Sequence, residues 1–422
     1  MSKKIFYVIF VAFLFRVILS FIIWHPDMNN HIDWGIRFFE YGPSKFFAPE
    51  SNVWSFTWPN QPPGTIYMFA GIRKLFELIF SIFWWINVKI PAFPSIIITY
   101  FESNLYPALL KLPGIISDFG IAILIYKLIK TVKSEKIAIL GALMFLFNPV
   151  VWYNSSVWGQ TDPIINFFAL LAFFYLLKRK LIPAIFFLAI SFYIKISLVI
   201  FVPIFLVIAI KQKYSITTWA KSIGLSFLMI GIATLPFSRG EPLEWLINLY
   251  EHNILGQQLQ VITANAFNLW AAIAGIHERP QSLMLGPLTY QAWGILFFII
   301  AYIPTLISLY KKQDLKTLVW ALVIASFGSF MLLTNMHERY LYPFFPVFTI
   351  LAVLETRLIP IYWAISGLSL INLYNFWFVP RIKPIVDFLS LGNRFMPRVL
   401  GLINFGLFVF VYKSFLKNFQ RT

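Results

Sequence analysis

Residues 178–213 read KRK-LIPAIFFLAISFYI-K-ISLVIFVPIFLVIAI-KQK. Between Lys178-Arg179-Lys180 and Lys211-Gln212-Lys213 the only charge is Lys195. Apolar runs with basic ends suit a chain that crosses a bilayer, where backbone groups must be satisfied internally and helices do so. One crossing takes about 20 residues, so 181–210 is too long for one and too short for two. Two short helices meeting below the surface resolve this and put Lys195 in a recess. Irregular backbone at that depth is tolerated only where it lines a cavity.

The same pattern recurs along the chain. Apolar runs fall at 5–24, 105–126, 137–153, 163–177, 181–194, 196–210, 219–236, 287–310, 317–335, 340–354, 358–378 and 396–412. The expectation is one all-α polytopic domain over residues 1–422 with about 12 transmembrane helices. Of 422 residues, 59% are hydrophobic and 12% charged, and mean hydropathy is +0.76. A soluble fold of this size cannot cover its surface with so few charges. The absence of cysteine excludes disulfides, thiol nucleophiles and thiolate metal sites. No small-residue cleavage site precedes Trp24-His25-Pro26, so the first run reads as an uncleaved span.

The net charge of +17 does not imply nucleic acid. Lys and Arg accumulate in cytoplasmic connections and set topology. Placing Lys3-Lys4, 127–136, 178–180, 211–221, 311–316, Arg357 and 413–421 inside leaves 25–104 as a long first outer loop. Within it Gly64–Asn87 is long enough to span. Arg73, Lys74 and Glu77 near its middle favour helices lying along the interface over a two-span hairpin. Of the 17 acids only Glu135, Asp314 and Glu355 fall inside. Acids weigh little in topology, so their pile-up outside points to chemistry there.

The first outer loop opens His25-Pro26-Asp27-Met28-Asn29-Asn30-His31-Ile32-Asp33-Trp34. A carboxylate just past a helix end is well placed as a general base; a solvated acid or a helix cap is the alternative. The loop continues to Asn60-Gln61-Pro62-Pro63-Gly64, where consecutive prolines stiffen its return to the interface. Asp27 with Trp34, then Gly42-Pro43 and Pro62-Pro63-Gly64, resembles the first outer loop of the GT-C glycosyltransferases, polytopic enzymes that take a sugar from a polyprenyl-phosphate donor. Lys111-Leu112-Pro113 with Asp118 resembles the start of their second span. Asn148-Pro149 and Trp158-Gly159-Gln160-Thr161-Asp162 resemble a later outer loop. Asn265-Ala266-Phe267-Asn268-Leu269-Trp270 and Met336-His337-Glu338-Arg339-Tyr340-Leu341-Tyr342-Pro343 resemble the bacterial and archaeal mannosyltransferase-like branch. The likeness runs from about residue 1 to 380.

The resemblance implies an inverting hexosyltransferase of the prokaryotic plasma membrane, active on the extracytoplasmic side, with Asp27 as base. It implies a mannose or glucose donor on polyprenyl phosphate, and a glycan, glycolipid or polypeptide acceptor. No cofactor is required by it, although some relatives bind a divalent metal. A charged donor phosphate at the interface needs cations, for which Lys195 and Arg339 are the candidates, with His337 beside them. Snorkelling of Lys195 and pairing of Arg339 with Glu338 are the structural alternatives. Trp158, Gln160 and Asp162 are candidates for sugar or acceptor contact, as are Asp118 and Lys111; the last two alternatively neutralise each other. Arg16, inside the first span, needs a partner or a wet cavity. The histidines at 25, 31, 252, 277 and 337 show no metal-ligand spacing, although His25 and His31 with Asp27 form a conceivable metal set. No Walker-type glycine loop is present. The competing function is a transporter or flippase of lipid-linked sugars, and a third is a non-catalytic binding subunit.

Overall fold

The structure, a computed structural model, describes residues 3–48, 51, 54–256, 259–276 and 279–419. His277 and Arg421 lie outside the described residues. The chain is all-α apart from a two-stranded hairpin, β1 (Met284–Leu285) with β2 (Leu288–Thr289). In order the helices are α1 (Lys3–Ile22), α2 (Met28–Tyr41), α3 (Pro43–Phe46), α4 (Pro63–Lys89), α5 (Ile96–Lys130), α6 (Glu135–Leu146), α7 (Pro149–Trp152), α8 (Asp162–Leu177), α9 (Leu181–Ile194), α10 (Val202–Lys211), α11 (Ile216–Ser238), α12 (Pro242–Asn248), α13 (Leu269–Ala274), α14 (Tyr290–Lys311), α15 (Leu315–Leu332), α16 (Phe344–Leu354), α17 (Ile359–Tyr374) and α18 (Lys383–Phe419).

Among the described residues five helices are long and apolar enough to cross a membrane: α5, α11, α14, α15 and α18. The bent pair formed by α6 and residues 149–158 makes up to six. The remaining apolar runs form shorter helices, including Phe6–Ile22, α8, α9 and 196–211. Several of the twelve apolar runs thus form helices shorter than a full crossing. Breaks built into the sequence end them early. Asn148 caps α7 through its side chain, which accepts from the Val150 amide, and Pro149 has no amide to continue α6. Lys195 is extended at φ −164°, ψ 127° between α9 and a 3₁₀ turn, Ile196–Phe201, that leads into α10. The break expected in 181–210 is present. Many side chains on α11 and α14 are exposed and apolar, including Phe227, Leu228, Ile232 and Ile300 at 55–60% exposure. Such surfaces suit lipid and not water, so the chain is an integral membrane protein.

The first outer loop is not a separate layer up to residue 104. Residues 96–104 are already the start of α5, whose length is continuous through Pro107 and Pro113. α4 is one helix packed on α5. Its charges pair along one side, Arg73 with Glu77 at 3.0 Å and Lys74 with Glu77 at 2.7 Å, and α4 is not among the helices apolar enough to span.

In lipid, apolar burial gives little drive for helix association, so close packing and interhelical hydrogen bonds hold the bundle. α15 and α16 sit at its centre and are buried over nearly their whole length. Asn side chains tie other elements to one another. Asn268 donates to the Phe330 carbonyl at 3.2 Å, Asn404 to Phe267 at 2.9 Å, and Ser366 to Asn148 Oδ1 at 2.9 Å. A second core of Met28, Trp34, Ile66, Phe69, Tyr106 and Phe237 joins α2 and α4 to α5 and α11. The basic connections gather at one end: Arg179 reaches the Gln212 carbonyl, and Lys316 reaches Glu355 and Asn418.

α4 begins where the chain can approach α9 most closely. A Cβ on Gly64 would lie 2.5 Å from the Tyr193 carbonyl oxygen, and Thr65 Oγ1 donates to the Ile194 carbonyl at 2.7 Å. The Pro62-Pro63-Gly64 turn is thus locked against the Lys195 break. Gly64→Ala is expected to cost about 1–3 kcal/mol as overpacking against backbone. A melting midpoint in detergent equal to the parent's would show that this contact does not hold α4 in place.

Candidate active site

Asp27 ends the turn that enters α2. The Met28 and Asn29 amides bond back to His25 and Pro26, and the Asp27 side chain does not cap α2. Its carboxylate turns instead towards the connection before α8. Oδ2 accepts from the Trp158 indole at 3.0 Å and from Gln160 Nε2 at 2.5 Å, while Oδ1 accepts from Asn30 at 3.1 Å. Gly159 makes this possible. It is left-handed at φ 78°, and a Cβ there would lie 2.3 Å from Met28 Sδ and 3.0 Å from Lys111 Cγ. Only glycine lets residues 158 and 160 face one carboxylate this close to α2. The other loop acid, Asp33, is tied to Arg37 at 3.3 Å and to the Ser55 amide at 3.0 Å.

The Arg339 guanidinium lies 5.6 Å from the centroid of the Trp158 ring and 5.6 Å from that of Tyr340, and Lys195 Nζ lies 5.3 Å from the same Tyr340 centroid. Lys195 is paired with Asp162 at 3.0 Å, and Arg339 with Glu338 at 3.2 Å. The chain therefore brings Asp27, Trp158, Gln160, Asp162, Lys195 and Arg339 into one cluster from four separate stretches. A cavity of about 720 Å³ opens beside it, lined by Asp27, His31, Gln160, Asn265, His337, Glu338 and Arg339 among others. Several buried polar atoms here have no partner among the described residues: Arg339 Nε, Asp162 Oδ2, His25 Nε2 and His31 Nδ1.

Two predicted positions lie elsewhere. Asp118 does not line the cavity. It is wholly buried, 3.3 Å from Arg16 Nη1, and accepts from the Tyr342 hydroxyl. Lys111, expected to contact sugar or to neutralise Asp118, instead donates to the carbonyls of Ser20 at 3.1 Å and Ile23 at 2.6 Å. Helix ends leave carbonyls unpaired, and an ammonium satisfies them and suits the dipole. Of the residues expected to meet sugar, Trp158 Nε1 and Gln160 Nε2 hydrogen-bond to Asp27, and Gln160 also lines the cavity. Asn265 and Glu338 were not singled out as site groups. Asn265 is left-handed at φ 72° and holds Glu338 at 3.4 Å and Asn375 at 3.0 Å. The Asn265…Trp270 and His337…Pro343 motifs were the available signal.

Burial raises the Asp27 carboxyl, but Arg339, His31 and the Trp158 hydrogen bond outweigh it and hold it down at about 2. Asp27 is ionised throughout the physiological range. Arg339 is held above its ordinary value: burial lowers it, and Glu338, Tyr340 and Asp27 more than compensate. Glu338 is pushed up by burial despite Arg339. His25, His31 and His337 are kept neutral. Burial lowers His25 to about 3, His337 to about 3 and His31 to about 4, with nearby cations contributing. His25 Nδ1 accepts the Asp27 amide at 3.2 Å and its ring stacks on Trp158 at 4.5 Å. His31 stacks on Phe69 at 4.5 Å. Among the described residues no three His, Asp or Glu side chains group as a metal site, so the suggested His25, His31 and Asp27 set does not converge.

These shifts have a consequence for stability. All three histidines titrate below 6.5 in the folded protein, so as pH falls below 6.5 the unfolded chain takes up protons that the folded chain refuses. Stability is greatest above 6.5 and declines towards about 4. Asp27 acts in the same direction at lower pH. The melting midpoint should fall between pH 7 and 4.5, and less so in His31→Gln; a flat profile would mean that these rings are solvated. No protein-family model matches the chain, and no curated protein matches it.

Proposed function

We propose that this protein is an inverting membrane glycosyltransferase that moves a hexose from a polyprenyl-phosphate donor to an acceptor hydroxyl, with Asp27 as general base. The observation that carries this reading is the cavity in which an ionised, rigidly held carboxylate shares a wall with a guanidinium. The arrangement suits a single displacement. Asp27 accepts the proton of the acceptor hydroxyl, the hydroxyl oxygen bonds to the anomeric carbon, and the bond to the phosphate oxygen breaks with its electron pair. The leaving phosphate gains charge, and Arg339 supplies a planar fork for it.

A carboxyl held at about 2 is a weak proton acceptor, because an efficient base has a value near the operating pH. Arg339 is the strongest of the groups that lower it. A donor phosphate on Arg339 would cancel that charge, so Asp27 becomes more basic when the donor is in place. We place the cavity on the non-cytoplasmic side of a GT-C-type bundle of about twelve crossings, some made by short helices that meet at breaks such as Lys195. The basic connections that touch one another at the opposite end support this orientation.

The test is transfer of radiolabelled mannose or glucose from polyprenyl phosphate by purified protein in liposomes. Movement of intact donor across the bilayer without transfer would instead identify a flippase. Arg339→Ala is expected to weaken donor binding by about 1.5–3 kcal/mol, the size of a charge-assisted hydrogen bond. Lys195→Ala should have a smaller effect, since Lys195 is already paired with Asp162 at 3.0 Å and is not among the cavity-lining residues. Unchanged donor affinity in Arg339→Ala would put the phosphate elsewhere.

A further inference from the structure

The cavity has a second cation, at its mouth, and the protein itself does not use it. α18 is interrupted: Leu391 is extended, and Gly392, Asn393 and Arg394 follow with φ of 60°, 53° and 66°. Left-handed backbone is costly for an arginine, yet this one holds a residue that lines the cavity. Arg394 is exposed and makes no hydrogen bond, ion pair or ring contact among the described residues. The other charged groups lining the cavity are engaged. Asp27 accepts three hydrogen bonds, and Arg339 is paired with Glu338. Phe376 also lines the mouth, is 55% exposed and is left-handed at φ 80°. Bulky residues in that conformation are rare, and such strain gathers at functional sites.

The depth of Arg394 narrows the ligand. On its N-terminal side α18 carries exposed Lys383 and Asp387, and on the other it becomes the apolar stretch that is long enough to span. Arg394 thus sits where an apolar span gives way to a polar surface, the level of lipid phosphates. A guanidinium binds phosphate through paired donors, and an exposed aromatic face suits a sugar or cyclitol ring. We infer that the cavity mouth binds an acceptor lipid whose ring headgroup is joined through a phosphate, with the phosphate on Arg394 and the ring against Phe376. This inference rests on the glycosyltransferase reading, and names its acceptor class.

The test uses the full chain in dodecyl maltoside, which carries no phosphate, with dihexanoyl phosphatidylinositol and a dihexanoyl glucosyl glycerolipid as probes. Dihexanoyl phosphatidylglycerol serves as a phosphate without a ring, and citronellyl phosphate reports the donor pocket. Phosphatidylinositol should bind about tenfold more tightly than either other glycerolipid. Arg394→Gln should abolish the preference over the glucosyl lipid, which lacks the phosphate, and leave citronellyl phosphate binding unchanged. Arg394→Gly, which suits a φ of 66°, should behave the same way, excluding misfolding as the cause. Equal binding of phosphatidylinositol and the glucosyl lipid, or a preference over the glucosyl lipid that survives in both variants, would overturn the inference. Phosphatidylglycerol binding as tightly as phosphatidylinositol would also overturn it, since Arg394 would then read any headgroup. Loss of the donor reading has a different signature: citronellyl phosphate that fails to bind, or that binds Arg339→Ala as well as the parent.

Discussion

Asp27→Asn is expected to lower sugar transfer by about 10²–10⁴-fold, the usual worth of a positioned general base, while the protein still folds and binds donor. The geometry argues for this separation of effects. An asparagine oxygen can still accept from Trp158 at 3.0 Å and Gln160 at 2.5 Å, so the loop keeps its anchor across 131 residues of chain. What disappears is the charge and the proton-accepting oxygen. Removing an anion near Arg339 also frees that cation, so donor affinity should stay level or rise slightly. Reduced donor binding together with lost activity would point to misfolding instead. Full transfer in the variant would remove Asp27 from the mechanism.

The second large effect concerns Arg16. It is 1% exposed, 3.3 Å from a fully buried Asp118, and also donates to the Leu146 carbonyl at 2.7 Å. Arg16→Met leaves the Asp118 carboxylate buried beside the Tyr342 and Ser155 hydroxyls, with no cation to pair it. Breaking a buried pair from one side costs about 3–5 kcal/mol, whereas replacing both members by apolar groups is often nearly neutral. Arg16→Met is therefore expected to destabilise strongly, and Arg16→Met with Asp118→Leu to recover most of the loss. The readout is the melting midpoint, with transfer activity measured beside it. Recovered stability with normal transfer makes Asp118 structural. Recovered stability with lost transfer would restore the sugar contact implied by the resemblance. A single variant as stable as the parent would show that the pair contributes nothing.

What could be read ahead of the fold differs sharply between backbone and side chains. The break at Lys195 was legible, because a lone lysine in an apolar run acts locally, whereas the break at Asn148-Pro149 falls inside the run read as 137–153. Arg16 was recognised as needing a partner for the same reason. That the partner is Asp118, and not Lys111 for Asp118, required the relative rotation of α1 and α5. That Trp158 Nε1 and Gln160 Nε2 meet Asp27 was decided on the same ground. Both residue types suit a sugar, and nothing in their spacing reveals that Asp27, far away in sequence, takes their hydrogen bonds. Arg394 drew no notice, since an arginine beside a span ordinarily marks topology alone.

By composition and run length alone, this chain had to be a helical membrane protein, because its apolar runs are of helical length and lipid leaves the backbone polar groups no water to satisfy them. Its side-chain partnerships were decided by tertiary structure. Helices that are apolar all round carry no stripe to show which face turns inward, so the helix rotations that join Asp27 to Gln160, Arg16 to Asp118 and Lys111 to the end of α1 emerge only when the bundle packs.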